Sequence, residues 1–291
     1  MLESGAIAAA MLRPTGRTRA FIKVQDGCNA RCAYCIVPQV RGPEKSVPPA
    51  QVLAEVKARE TEGFQEVVLT GTEVGSYSSD DTRIDGLLRA VLTETQIPRI
   101  RLSSLQPPEV TPDLIELWRD RRLCPHFHLS LQSGSDATLS RMRRRYAVAG
   151  YRTAVELIRS VVPDAAITTD VIAGFPGETD DESQTSLQLC RGLRFARIHV
   201  FPFSARPGTE AATMPGQVDE KTKRARASEM LRLAREGAAD FKRSFAGQTR
   251  PVLWEQRNAH GLWTGLTDNY IPVTLRSEED LTNRITQFRL E

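Results

Sequence analysis

The 291-residue sequence predicts an α/β fold with a parallel sheet, followed by a small all-β module. Short β-branched or apolar runs alternate six times with longer amphipathic stretches, and repeats in that order form parallel sheets with right-handed crossovers. Beyond about residue 246, short segments separated by turn signals are typical of a meander or a small barrel. Periodicity alone does not distinguish an open parallel sheet from a partial barrel.

The predicted elements follow one another in strict order. Strands are predicted at 20–25, 66–70, 99–104, 126–131, 167–173 and 197–203. Helices are predicted at 49–62, 84–94, 111–121, 135–145, 151–160 and 180–193. A long charged helix is predicted at 219–245, and further strands at 251–255, 261–266, 270–275 and 284–290. We therefore divide the chain into an N-terminal remnant or linker at 1–17, a core at 18–246 and a β module at 247–291.

The composition is that of an ordinary globular protein, with 39 Lys and Arg against 36 Asp and Glu and a net charge of +3. No run of 18 apolar residues occurs, and Glu3 stands where a signal peptide has positive charge. We therefore expect a cytoplasmic protein with no membrane partner. Arginine supplies 33 of the 39 basic residues, which fits either an RNA partner or codon bias.

Three of the five cysteines lie within eight residues, directly after the first predicted strand. Cys28, Cys32 and Cys35 have the spacing C-x3-C-x2-C. Three thiolates on one loop can hold three irons of a [4Fe–4S] cluster and leave the fourth iron open to a ligand. Structural zinc, the alternative, usually takes four protein ligands, and no histidine precedes His126. The clustering argues against a disulfide framework.

The cysteine spacing, with the aromatic Tyr34 just before the last cysteine, resembles the radical S-adenosylmethionine (SAM) enzymes. The resemblance implies a partial (β/α)₆ barrel, one [4Fe–4S] cluster on the three cysteines, and SAM bound at the open iron. It also implies that one electron cleaves SAM to a 5′-deoxyadenosyl radical, which is chemistry of the cofactor. Arg145 lies at the distance from the fourth strand that is typical of a partner for the SAM carboxylate.

The same resemblance implies further SAM contacts at the carboxyl ends of the predicted strands, where barrel active sites collect. Thr70 and Gly71 end the second strand, where the family contacts the SAM amino group. Gln132 follows the fourth strand, where the family contacts the ribose or carboxylate. Gly174 and Gly177 follow the fifth strand, where absent side chains allow the adenine to approach the backbone.

Longer stretches resemble the methylthiotransferases within this superfamily: residues 19–28, 35–42, 131–136 and 202–209. Residues 69–77, 101–105 and 199–202 most resemble the type that acts on threonylcarbamoyladenosine. That likeness implies addition of a methylthio group to C2 of N6-threonylcarbamoyladenosine at position 37 of tRNA. Enzymes for isopentenyladenosine and for a ribosomal protein usually have Gln-Asn or Gln-Asp where this chain has Gly71-Thr-Glu73. These two substrates are the alternatives within the family.

The segment after residue 246 resembles the TRAM module, a small β-barrel that binds tRNA, most clearly at 266–273. The resemblance implies the tRNA anticodon stem-loop as a partner, and an electron donor such as flavodoxin or ferredoxin. Trp254, Trp263 and Tyr270 either stack on unpaired bases or form the core of the module. The module stops before the last strand that the family normally has, so we expect it to be incomplete.

Family members also have an N-terminal domain in which three more cysteines bind a second [4Fe–4S] cluster. Only Cys124 and Cys190 are left over here, and both fit ordinary buried thiols, so this chain cannot ligate that cluster. We therefore expect an enzyme that cleaves SAM but does not thiolate tRNA alone. The alternative from another functional class is a non-catalytic tRNA-binding protein with a vestigial cluster loop.

Overall fold

A computed structural model describes residues 18–291, so the predicted remnant or linker at 1–17 lies outside the described residues. Six parallel strands form the inner wall of the larger part. They are β1 (Arg19–Lys23), β2 (Glu66–Thr70), β3 (Arg99–Leu102), β4 (His126–His128), β5 (Ala166–Ala173) and β6 (Arg197–Pro202). Each overlaps a strand that the sequence predicts.

The strands are arranged in sequence order, which identifies the sheet as a partial barrel. β1, β2 and β3 pair in parallel, as do β4, β5 and β6. Parallel bridges from Ile100 to Leu123 and from Leu105 to Leu129 join the two halves. A doubly wound sheet would reverse direction after its first strands. Within residues 18–291, β1 and β6 do not pair with each other, so the barrel is open along one side.

Six helices surround this wall. They are α1 (Pro49–Thr61), α2 (Ile84–Glu94), α3 (Asp136–Arg141), α4 (Val148–Val161), α5 (Asp180–Leu193) and α6 (Glu220–Arg243). The predicted helix at 111–121 is instead a short helix, Pro112–Ile115, followed by a 3₁₀ segment, Glu116–Arg119. Another short helix, Val37–Val40, follows the cysteine loop. Two small hairpins pair Gln25–Asp26 with Lys45–Ser46 and Ser78–Ser79 with Thr82–Arg83.

Alternate residues of the barrel strands divide between two environments, because successive side chains of a strand point to opposite faces. One set, including Val67, Ile100 and Phe127, belongs to the main apolar core together with residues of the helices. The other set faces the inside of the barrel and is largely polar. It contains Glu66, Arg99, Arg101, His126, His128, Thr168, Asp170 and His199.

The C-terminal segment forms a four-stranded antiparallel sheet. Its strands are β7 (Thr249–Arg257), β8 (Leu262–Thr267), β9 (Pro272–Arg276) and β10 (Ile285–Arg289), in the order β9-β8-β7-β10. Trp254 and Trp263 lie in its core, 0% and 3% exposed, and the Trp254 Nε1 donates to Thr286 Oγ1. The base-stacking interpretation of the two tryptophans is therefore wrong, because neither ring has a free face.

This sheet closes the amino-terminal end of the barrel. Arg99, the first residue of β3, donates to the carbonyl oxygens of Pro251 and Leu266 at 2.6 and 3.2 Å. Tyr270 stacks on His126, the first residue of β4, with ring centroids 4.6 Å apart. Tyr270 thus packs against the barrel. The likeness to a TRAM module stays a prediction.

The long helix α6 packs on the barrel as well as facing solvent. Two of its basic residues are held by protein partners: Lys223 is buried over the Phe203 ring, and Arg226 pairs with Glu178 and Asp180. Within the part of the chain that the structure describes, no helix is both long and apolar enough to cross a bilayer.

Candidate cluster and cofactor site

The three clustered cysteines lie on a loop after β1, at the carboxyl end of the barrel strands. Cys28, Cys32 and Cys35 together line one cavity of about 180 Å³. Its other polar lining residues are Tyr34, Thr72, Glu73, Ser104, Gln106, Glu109, Ser130, Gln132 and Arg144. The loop and the ends of three further strands, β2, β3 and β4, therefore converge on one cavity, at the end of the barrel opposite the C-terminal sheet.

The backbone of the cysteine loop is fixed by contacts to distant segments. Gly27 has a φ of +72°, and a Cβ there would lie 2.1 Å from the carbonyl oxygen of Pro43, so only glycine fits. Cys28 N–H donates to the Gly42 carbonyl, and Ala33 N–H donates to the Met142 carbonyl. Because these bonds hold both halves of the loop, the cysteines are placed before any ligand binds.

Two of the sulfurs have defined partners. Cys28 Sγ lies 3.1 Å from Glu73 Oε2 and accepts from the Ala30 N–H at 3.3 Å. Arg144 Nη1 donates to Cys32 Sγ at 3.2 Å. Burial, and then the hydrogen bond with Glu73, raise the pKa of Cys28 to about 12, and burial raises the pKa of Cys35. Both groups are therefore thiols in this state, and binding of metal would release their protons.

The donor set fits an iron–sulfur cluster better than a single ion. Two thiolates on one zinc are at most about 4.6 Å apart, since each Zn–S bond is about 2.3 Å. At least one pair among the sulfurs of Cys28, Cys32 and Cys35, all within the described chain, is farther apart than 4.8 Å. The three thiols adjoin one cavity, and two of the sulfurs accept from N–H groups. This arrangement fits a cluster held by three cysteines with one open iron.

Arg144 links the cysteines to the rest of the cavity. Its guanidinium donates to Tyr34 Oη at 3.4 Å and to Gln106 Oε1 at 2.8 Å, and it lies over the Tyr146 ring. Burial lowers the pKa of Arg144, but the electrostatic interactions with Tyr34, Tyr146 and Cys32 outweigh it, so that the pKa of Arg144 is raised. This side chain is a fixed cation beside the place of the cluster.

The sequence pointed to Arg145 and missed Arg144. Arg145 is more than half exposed, pairs with Glu73, and does not line the cavity. The predicted helix at 135–145 ends instead at Arg141, and Arg143 adopts a left-handed φ of +56°. The chain therefore turns before Arg144. Residues 141–145 contain four arginines, and the sequence does not indicate which of them faces the cavity. The role of Arg145 toward SAM stays a prediction.

The remaining predicted contacts lie at strand ends but differ in their surroundings. Gln132 is buried, lines the cavity, and has a left-handed φ of +66°. Thr70 and Gly71 end β2 beside the cavity without lining it. A Cβ on Gly71 would lie 2.8 Å from the Gln25 carbonyl oxygen, so close packing also explains this glycine.

Gly174 and Gly177 have left-handed φ values of +73° and +74°. A Cβ on Gly174 would lie 2.4 Å from Cγ of Lys223, and its N–H donates to Glu178 Oε2 at 2.7 Å. A Cβ on Gly177 would lie 3.3 Å from Nε of Arg141. Backbone conformation and packing thus account for both glycines, and their approach to adenine stays a prediction.

Two carboxyl groups of the site were not singled out from the sequence. Glu73 is buried, and its two oxygens reach Cys28 and Arg145. Glu109 lies beside it, and burial, together with the negative charge of Glu73, raises the pKa of Glu109 to about 8. Glu109 lies in the motif Gln106-Pro-Pro-Glu109, where its carboxylate accepts from the Gln106 N–H. The Gln-x-x-Glu spacing is a local signal for a helix start, and it does not by itself indicate a functional site.

Comparison with known proteins agrees with this geometry. The family described as the Radical SAM superfamily matches residues 22–190, which include the cysteine loop and most of the barrel. The chain belongs to the radical SAM superfamily. Members of this superfamily bind a [4Fe–4S] cluster and SAM.

The curated relatives of this radical SAM chain include tRNA-modifying enzymes. Threonylcarbamoyladenosine tRNA methylthiotransferase MtaB of Thermotoga maritima is 37% identical over 94% of this chain and 62% of its own length. The enzyme of that name from Treponema pallidum is 42% identical over 89% and 53%. A tRNA-2-methylthio-N(6)-dimethylallyladenosine synthase of Syntrophotalea carbinolica is 38% identical over 95% and 65%. The chain thus spans less than two thirds of the length of each.

Solved structures support the fold of the radical SAM chain. Coproporphyrinogen III oxidase (HemN) from Escherichia coli, a radical SAM enzyme, superimposes with a TM-score of 0.59 at 12% identity. The match covers 89% of this chain and 68% of that chain. The radical SAM methyltransferase TsrM from Kitasatospora setae gives a TM-score of 0.57 at 18% identity over 68% and 38%. At these identities the likeness concerns the fold alone.

Proposed function

We propose that this chain is the catalytic core of a tRNA methylthiotransferase, acting at C2 of N6-threonylcarbamoyladenosine at position 37. The observation that carries the proposal is the three-cysteine cavity at the carboxyl end of a partial barrel in a chain with methylthiotransferase relatives. Two of the three relatives described above act on threonylcarbamoyladenosine by name, and one on dimethylallyladenosine. The polar inner wall of the barrel favours the first of these substrates.

The residues that line the cavity have different roles in this function. Cys28, Cys32 and Cys35 would hold the cluster, which supplies the electron that cleaves the carbon–sulfur bond of SAM. Arg144 holds positive charge beside Cys32 and fixes the phenol of Tyr34. Gln132 presents its side chain to the same cavity from the end of β4. Because the cavity is small and half enclosed, it also limits the access of water to the reacting groups.

The partners follow from the same proposal. The substrate is the anticodon stem-loop of a tRNA, and the electron comes from a donor such as flavodoxin or ferredoxin in the cytoplasm. Arginine patches would contact the phosphates locally, because a net charge of +3 provides little long-range attraction. The buried tryptophans of the C-terminal sheet do not take part in that contact.

The test is anaerobic reconstitution of the full chain with iron and sulfide, followed by reduction in the presence of SAM. About four irons per chain and release of 5′-deoxyadenosine are expected. The Cys32→Ala variant should bind less iron and release no 5′-deoxyadenosine. The Cys190→Ala variant should match the unchanged chain in both measurements, because Cys190 is buried outside the cavity. The modified base is then sought by mass spectrometry of a threonylcarbamoyladenosine stem-loop, with and without an added auxiliary-cluster domain. Failure to form the methylthio product in both mixtures would refute the proposed substrate.

A further inference from the structure

The inside of the barrel, below the cysteine cavity, contains buried polar atoms with no partner. Within residues 18–291, Arg101 Nη1, Ser103 Oγ and His126 Nδ1 have no hydrogen-bond partner. Arg101 is only 3% exposed, and His126 only 8%. Buried polar groups are almost always hydrogen-bonded, and leaving one unmade costs about 1–3 kcal/mol. Arg101 and His126 lie on the inner faces of two adjacent strands and Ser103 directly follows the first of them, so a water or a ligand inside the barrel would complete their hydrogen bonds.

The charges at the closed end of the barrel identify what is missing. Arg19, Arg99 and Arg101 face two carboxylates, Glu66 and Glu255. This leaves one positive charge without a counterion in that group. Arg19 and Arg99 donate to groups of the C-terminal sheet, and Arg101 gives Nε and Nη2 to Glu66. The unpaired Nη1 of Arg101 is therefore a donor suited to an anionic oxygen.

A second group of polar side chains lies farther along the inner face. His128, Asp170 and His199 come from three adjacent strands and have polar atoms within 4.8 Å of one another. His128 Nδ1 lies 3.0 Å from Thr168 Oγ1, and its Nε2 lies 3.3 Å from Asp170 Oδ2. All three are partly accessible from the inside of the barrel. They offer both donors and an acceptor to a neutral polar ligand.

We propose that the inside of the barrel binds the threonylcarbamoyl group of the substrate, an inference that rests on the proposed function. Arg101 Nη1 and Ser103 Oγ donate to the carboxylate of the threonyl group. Asp170, His128 and His199 bind its hydroxyl and urea groups. A dimethylallyl substituent consists of carbon and hydrogen alone and would leave all these groups unpaired. A site built in this way rejects the analogue that lacks the polar atoms.

The experiment measures binding, by fluorescence anisotropy, of the full chain to labelled anticodon stem-loops. The stem-loops carry threonylcarbamoyladenosine, its methyl ester, isopentenyladenosine or unmodified adenosine. The first should bind at least about tenfold more tightly than the other three, because one hydrogen bond to a charged group is worth about that factor. Equal binding of the acid and its ester, or preference for isopentenyladenosine, would overturn the inference.

Two variants test the named residues. Arg101→Met removes the unpaired donor and leaves two arginines, Arg19 and Arg99, facing the two carboxylates Glu255 and Glu66, so no charge of this group is left without a counterion. His199→Ala alters a partly accessible side chain, and His260→Ala, on an exposed turn of the C-terminal module, is its control. The first two should bind all four stem-loops alike, with circular dichroism unchanged, while the control keeps the preference. A preference retained in both, or a stoichiometric divalent metal lost in His199→Ala, would contradict the inference.

Failure of this inference differs from failure of the proposed function. A chain that selects the threonylcarbamoyl stem-loop but never forms a methylthio product supports the binding site and refutes the reaction. A chain that forms the product and has no preference supports the reaction and refutes the site.

Discussion

Arg144 shows how one side chain organises the cysteine cavity. A single guanidinium contacts a sulfur of the loop, the phenol of Tyr34 and the amide of Gln106, and its face packs on Tyr146. Lysine has neither the planar fork nor the face for these four contacts together. The residue therefore fixes the position of the loop relative to the strand ends.

Arg144→Lys should consequently lower the iron content of the reconstituted protein and destabilise the chain by about 1–3 kcal/mol. Urea unfolding and iron analysis measure the two effects. Arg143→Lys is the matched control, because that side chain is exposed and pairs only with Glu210 at 2.7 Å. Surface pairs of this kind contribute about 0–1 kcal/mol, so equal losses in the two variants would contradict the role of Arg144.

Glu109 makes stability depend on pH. Its pKa in the folded chain is raised to about 8 from an ordinary value of 4.5, so the folded state retains a proton that the unfolded state loses. The stabilisation from this proton is complete below pH 4.5 and is lost as the pH rises to about 8. Glu109→Gln keeps a neutral group and should flatten this part of the profile. Urea midpoints of the metal-free chain at pH 5 and pH 8 measure the difference between the two proteins, and parallel profiles would be the opposing result.

At the scale of elements, the cysteine loop depends on one tight turn. Gly27 combines a left-handed backbone with a Pro43 carbonyl oxygen 2.1 Å from the place of a Cβ. A side chain there is excluded by conformation and by space. The loop can keep its shape only if this position stays glycine.

Gly27→Ala should therefore destabilise the chain by about 3 kcal/mol and abolish cluster assembly. Gly63→Ala is the control, since Gly63 has a φ of +86° but nothing within 4 Å of the added Cβ. Its cost should be about 1–2 kcal/mol, with normal iron content. Thermal unfolding and iron analysis distinguish the Gly27→Ala and Gly63→Ala variants. Cluster assembly in Gly27→Ala would contradict the prediction, because it would show that the loop can rearrange.

The elements also show how far sequence reasoning reaches. The strands at 66–70 and 167–173 and the helix at 180–193 were predicted because their apolar periodicity and their charges are local signals. The sequence does not predict that α3 ends at Arg141, because arginine is a good helix former and no glycine or proline directly follows. The local sequence around Arg101 and His128 is that of ordinary strand residues. Their polar neighbours come from other strands and meet them only in the folded barrel.

At the scale of the whole molecule, the C-terminal sheet and the barrel are held by buried arginine contacts. Arg99 reaches the carbonyls of Pro251 and Leu266, and Arg250 pairs with Asp164 just before β5. The partners of Arg99 are more than 150 residues away along the chain. Contacts of this kind leave no local pattern, so the sequence predicted two modules but not the face on which they meet.

Arg99→Met should separate the unfolding of these two parts. The loss of two hydrogen bonds from a buried guanidinium should lower the unfolding midpoint and turn one cooperative transition into two. Differential scanning calorimetry measures this change. Arg257→Met is the control, because Arg257, at the exposed end of β7 in the same sheet, pairs with the exposed Glu278. A single, unshifted transition in Arg99→Met would show that apolar packing alone holds the parts together.

The docked sheet also covers one end of the barrel. A molecule inside can depart only past the cysteine loop or through the seam between β1 and β6, where Phe21 and Phe201 are exposed. If the cysteine cavity holds a cluster and its cofactor, the open side between β1 and β6 is the remaining route into and out of the barrel.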